Sequence, residues 1–168
     1  TKIIFDGFPL FRFSNRSKVV LGESLIFRSN PKTNFTGLAK RCSINVAPDA
    51  YLHIGHNSGF SGVSINCTKK IYIGNNVNVG INCLIWDTDF HPLSYMARRT
   101  HDISKIIKSP IHIGDDVFIG ANSIILKGVR IGNRSIIGAG SVVTKNIPAD
   151  QIWAGNPAKF VRDINQAI

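Results

Sequence analysis

A six-residue beat constrains this chain more than any other feature of it. An aliphatic residue followed by glycine recurs at Ile73-Gly74, Val79-Gly80, Ile113-Gly114, Ile119-Gly120, Ile131-Gly132 and Ile137-Gly138. Four places after each aliphatic stands a small or branched residue: Val77, Cys83, Val117, Ser123, Ser135 and Ser141. A helix repeats every 3.6 residues and a half-buried strand every two, so neither produces this spacing. Self-similarity at a fixed period belongs to solenoids, whose units bury their apolar faces only by stacking on one another.

With an apolar residue in the first place of each six, the phase runs 54, 60, 73, 79, 85 and, after a break, 113, 119, 125, 131, 137 and 143. Three sixes close one triangular turn. Turns are expected at 54–72 (one residue over length, a bulge), 73–90, 113–130 and 131–148. Four layers at roughly 4.8 Å each give a prism about 19 Å tall. The first and fifth places point inward. Glycines and the pairs Asn75-Asn76 and Asp115-Asp116, with Asn133, fall at corners, where positive φ or side chain to backbone bonding is needed.

Residues 1–50 follow the beat poorly. Val19-Val20, Leu25-Ile26-Phe27 and Ile44-Asn45-Val46 read as strands of one or two irregular turns and a cap, with a largely polar stretch at 29–41. Residues 51–148 form the regular solenoid. The tail at 149–168 carries Gly155 and Pro157, then helical character from Ala158 to Gln166, and is expected to cover the last turn, whose strand edges are otherwise unpaired.

The chain has 168 residues, 43% of them hydrophobic, which is enough for one domain with a real core. No tract is apolar enough to span a membrane or serve as a leader, so a soluble protein is expected. Cys42, Cys67 and Cys83 lack the spacing of zinc or redox pairs; a reducing cytoplasm suits them. The formal net charge of +10 suits an anionic partner, and no recognition helix, zinc finger or RNA-binding signature accompanies it, so nucleic acid is not expected.

The beat breaks after residue 90 and resumes at Ile113, so residues 91–112 are extruded from one corner. Interruptions of a regular scaffold are where function tends to be placed. The loop opens with Trp86-Asp87-Thr88-Asp89-Phe90-His91-Pro92-Leu93, and the run 113–122, the run 137–145 and Ala154-Gly155-Asn156-Pro157-Ala158-Lys159 come after it. On these segments the chain resembles the hexapeptide-repeat acyltransferases over about residues 50–165. Within them it is similar to the O-acetyltransferase branch of galactoside, maltose and capsular or lipopolysaccharide sugar acetyltransferases.

The resemblance implies a left-handed parallel β-helix, although the general rule for parallel crossovers favours the right hand. It also implies a homotrimer with the active site between subunits, acetyl-CoA as acyl donor, a carbohydrate hydroxyl as acceptor and no metal. His91 matches the family's general base for direct transfer, a task suited to an imidazole with an ordinary pKa near 6.5. A neutral base needs a partner that fixes its tautomer. Asp87 and Asp89 are the nearby carboxylates by sequence, and the choice between them, or a backbone carbonyl instead, stays open, as does a plain corner or interface role for both; Asp87 is the preferred orienting residue and Asp89 is placed on the acceptor side. Ser61 stands where relatives carry an acceptor-binding asparagine, which argues against simple galactosides or maltose. For coenzyme A the matching positions are Phe118 for packing, Ala121, Ala139 and Thr144 for backbone contacts, and Lys145, Lys159 and Arg162 for phosphates.

Three other readings remain. An amino sugar or antibiotic acceptor would change the substrate and keep the scaffold. His53, His56 and His112 raise the zinc-binding carbonic anhydrase branch of the same helices, but the pair of histidines five apart that marks it is missing. A solenoid without catalysis would not need the Asp-Phe-His-Pro loop.

Overall fold

The computed structural model describes residues 2–164. Its strands run along the chain in turns of three. The first turn is β1 (Ile4–Asp6), β2 (Leu10–Phe13) and β3 (Lys18–Leu21), and the second is β4 (Ile26–Arg28), β5 (Ser43–Val46) and β6 (Tyr51–Ile54). The third is β7 (Gly59–Ser61), β8 (Ser64–Cys67) and β9 (Lys70–Ile73); the fourth is β10 (Asn78–Val79), β11 (Leu84–Trp86) and β12 (Ile111–Ile113). The fifth is β13 (Phe118–Ile119), β14 (Ile124–Ile125) and β15 (Arg130–Ile131), and the sixth is β16 (Ile136–Ile137) and β17 (Val142–Val143), closed by a bridge from Ile147 to Ile131. Two more strands end the described chain, β18 (Gln151–Ala154) and β19 (Lys159–Asp163).

Strands of like position stack in parallel into three faces. Face one is β1-β4-β7-β10-β13-β16-β18-β19, face two is β2-β5-β8-β11-β14-β17 and face three is β3-β6-β9-β12-β15. The inward column of face two reads Phe11, Ile44, Ile65, Ile85, Ile125, Val143 in strict register. From Ile44 to Val143 this column is buried, each aliphatic side chain contributing roughly 1.5–3 kcal/mol. Ser123, Ser135 and Ser141 are also fully buried, and their hydroxyls donate to the carbonyls of Gly138, Pro148 and Gly138 at 3.1, 2.6 and 2.5 Å, so none is orphaned.

The corners divide labour between two residue types. Positive φ falls on Asn57, Asn76, Asp116 and Arg134, two places after the glycine, rather than on the glycine itself. Gly55, Gly74 and their equivalents are needed for close approach: a Cβ at Gly55 would stand 2.6 Å from the carbonyl carbon of Gly74 in the next layer. Side-chain oxygens climb the same corner, with Asn75 Oδ1 accepting from His56 N at 2.8 Å, Asp115 Oδ1 from Asn75 N at 2.7 Å and Asn133 Oδ1 from Asp115 N at 3.0 Å.

Residues 4–46 form two turns of the same prism, in register with the third; the second is made irregular by residues 29–42, which bulge out between β4 and β5. Two expectations need correction. The second extrusion spans residues 87–110, because both Ile111 and Ile113 already stand in the inward columns of β12. The tail to residue 164 is not helical: β19 runs antiparallel to β18, with Phe160 edge-on to Trp153 at 6.4 Å, and so covers the open edge of face one. Asn165 and Gln166, the end of the expected helix, lie outside the described residues.

Candidate active site

The neck of the 87–110 loop is a short antiparallel ribbon. Thr88 bridges Lys108, Asp89 N donates to Ile107 O at 3.1 Å and Ser109 N to Asp87 O at 2.9 Å. At its tip the chain reverses over three residues. His91 N donates to Asp89 O at 2.7 Å while Phe90 sits at φ 61°. A positive-φ γ-turn at a non-glycine residue is strained, and strain of this kind persists where the surroundings over-determine it. Here Thr88 Oγ1 accepts from Phe90 N at 3.2 Å, and the Phe90 ring stands edge-on to Trp86 at 5.2 Å. Pro92 is buried, and Arg98 Nη1 donates to the carbonyls of Pro92 and Leu93 at 2.9 and 2.7 Å. His91 is therefore exposed on a backbone fixed from both sides, and among the described residues its ring makes no hydrogen bond.

Asp87 does not orient that ring. It is fully buried: Oδ1 accepts from Thr68 N and Thr68 Oγ1 at 2.7 and 2.8 Å, and Oδ2 from Lys69 N and Lys70 N at 2.7 and 2.9 Å. With four donors engaged, its work is to hold the corner between β8 and β9. Asp89 is the carboxylate with capacity left. Its Oδ1 lies 2.7 Å from Lys127 Nζ, while Oδ2 is buried without a hydrogen-bond partner. Neither Lys127 nor Arg98 carries a sequence signal; each is an ordinary cation until the fold brings it to the neck.

The remaining residues fall into two sets. Thr144 and Lys145 occupy the corner between faces two and three in the sixth turn, the same edge of the prism as Asp87, Asp89, Lys127 and the loop with His91. Ser61, Phe118, Ala121, Ala139, Lys159 and Arg162 lie on face one and its corner with face two. Ser61 and Phe118 line one open groove of about 450 Å³ on face one, a hollow that Gly59 leaves between the side chains of Ile26 and Asn78. A single chain does not bring the two sets together.

His53 and His112 also stand apart. Tyr72 is stacked between them, with ring centres 4.5 and 4.7 Å away, and His56 Nδ1 accepts from Glu23 N at 3.1 Å. Among the described residues no cluster of three or more histidine, cysteine or acidic side chains is placed to hold a metal ion.

The family model for the hexapeptide repeat of succinyl-transferase matches residues 110–145. Galactoside O-acetyltransferase of Escherichia coli is 34% identical over 163 residues, 92% of this chain and 74% of its own length. This chain belongs to the hexapeptide-repeat acetyltransferases. A solved galactoside acetyltransferase in complex with coenzyme A superposes at a TM-score of 0.69, with 32% identity over 87% of this chain and 65% of that one. A Schizosaccharomyces pombe relative is 44% identical over 103 residues, 59% of this chain; the chain spans about half of it, 48%. The prism is thus a left-handed parallel β-helix.

Proposed function

We propose that this hexapeptide-repeat protein transfers acetyl from acetyl-CoA to a hydroxyl of a sugar or glycan precursor, with His91 as general base in a seam between copies of a homotrimer. The observation that carries this reading is the division of the site. The base and the coenzyme groove occupy different edges of one prism, so each needs the other from a neighbour. Support comes from the galactoside acetyltransferases, one of which is solved with coenzyme A.

The pantetheine arm lies along Phe118, Ala121 and Ala139, and its phosphates meet Lys159 and Arg162 of that copy. Thr144 and Lys145 approach from the side that brings His91. The imidazole takes the hydroxyl proton as oxygen attacks the thioester carbon; the tetrahedral intermediate collapses, the C–S bond breaks and the thiolate leaves as coenzyme A after taking a proton. No acyl-enzyme forms. The orienting role falls to Asp89, the neighbouring carboxylate, which is paired to Lys127 through Oδ1 and keeps Oδ2 unpartnered. Three free, buried cysteines suit work in a reducing cytoplasm.

Coenzyme A release by the purified chain over a panel of sugars and amino sugars tests this reading. His91→Ala should lower turnover by about 10² to 10⁴ and leave acetyl-CoA binding intact. Asp89→Asn should lower kcat with little change in KM for either substrate. Full activity in His91→Ala would remove the base.

A further inference from the structure

Arg28 sits one layer from Ser61 on the outer side of face one, in direct register with it. It is the single charged side chain, among the described residues, that lines the 450 Å³ groove shared with Ser61 and Phe118. It also lines the adjoining groove of about 390 Å³, again with Ser61, under the 29–42 extrusion. Among the described residues no carboxylate lines either groove. The guanidinium is 54% exposed and makes no hydrogen bond among the described residues; its nearest acid, Asp6, is 4.0 Å away and has its other oxygen engaged by Thr33 Oγ1 at 2.8 Å.

The wall of the second groove is built rather than loose. Asn82 Oδ1 accepts from Ala39 N and Asn82 Nδ2 donates to Gly37 O, both at 3.0 Å, pinning the extrusion to the prism. Gly62, at φ 57°, lets it lie close, since a Cβ there would meet Lys40 O at 2.7 Å. From Arg28 to Arg41 the chain carries Arg28, Lys32, Lys40 and Arg41 and no acid. Phe35 at the rim is 93% exposed, an apolar face over the cationic groove.

We infer that the acceptor is an anionic sugar, with its carboxylate or phosphate paired to Arg28, a hydroxyl near Ser61 and the sugar ring against Phe35. This rests on the transfer reaction proposed above and names its substrate class. Guanidinium is suited to either anion because it offers paired donors in one plane. Arg28 lies three layers, roughly 14 Å, from Phe118 on the side away from Lys159 and Arg162, so it serves the acceptor rather than the coenzyme.

Rates of coenzyme A release by the full chain with a neutral hexose, a uronic acid and a hexose phosphate decide the matter. At least one anionic acceptor should exceed the neutral one about tenfold in kcat/KM, and the better of the two identifies the anion. Arg28→Gln should raise the KM of that acceptor roughly tenfold to a hundredfold, with KM for acetyl-CoA and rates on the neutral sugar unchanged. Equal rates on neutral and anionic sugars, or a KM effect on acetyl-CoA instead, would overturn the inference. Failure of the underlying reaction looks different: release that survives His91→Ala undiminished, or no release with any acceptor, sinks both.

Discussion

Two corners of the same prism behave in opposite ways. Where face three turns into face one, every crossing from the first turn to the sixth is a tight four-residue corner, with glycine at Gly22, Gly55, Gly74, Gly114 and Gly132 stacked layer on layer. Where face two turns into face three, crossings range from the two residues 68–69 to the extrusion at 87–110. The first corner is closed because successive backbones touch; a side chain there has nowhere to go. The second has slack, and it is the one that carries His91, Asp89 and Lys127. A scaffold whose layers are locked along one edge can vary freely along another without losing register.

The sharpest way to break the contrast is to disturb each corner in turn. Gly55→Val should abolish folding or cost more than about 4 kcal/mol, because the new Cβ meets backbone that cannot move. Two residues inserted between Thr100 and His101, out on the loop beyond α1 (Tyr95–Arg99), should cost only about 0.5 kcal/mol by chemical denaturation. Comparable losses at both sites would erase the distinction.

Asp87 tests whether the slack corner has an anchor. Asp87→Ala strands the amides of Thr68, Lys69 and Lys70 and should cost about 3 kcal/mol in urea unfolding while any residual native fraction keeps its coenzyme affinity. A loss of turnover without a loss of stability would restore Asp87 to the chemistry.

The smallest expected effect concerns face three, away from both corners. Burial holds His53 and His112 below the usual histidine range, the neighbouring His56 adding to the first and Arg130 to the second. The unfolded chain then binds more protons, so stability is full above the ordinary value near 6.5 and declines as pH falls through that region. Unfolding free energies at pH 7.5 and 5.5 should differ for the wild type and differ less for His53→Asn/His112→Asn; an unchanged difference would refute the assignment.

Where local spacing determines structure, the sequence is a sufficient guide. Ile113 to Val143 keeps perfect sixes, and its inward positions are all buried. The second turn is obscured because Leu25, Phe27, Ile44 and Val46 belong to one core interrupted by the extrusion at 29–42. The strand at 159–163 reads by sequence as part of a helix because its pairing with β18 is a matter of covering an edge, which spacing does not encode. At the site, the loop that carries His91 is legible. What Asp87 and Asp89 each pair with is not, because two residues apart at the neck of the loop they differ only in what the fold places opposite them: the amides of 68–70 for one, Lys127 for the other.

The division of the site between neighbouring copies is tested most directly by complementation. His91→Ala and the double variant Phe118→Asp/Lys159→Glu should each be inactive alone. Refolded together at equal ratio into mixed trimers, they should recover about a quarter of wild-type activity, the fraction of seams in a ring that pair an intact base with an intact groove. Mixed trimers that form yet stay inactive would show that base and groove serve the same copy, and the account of a shared seam would be wrong.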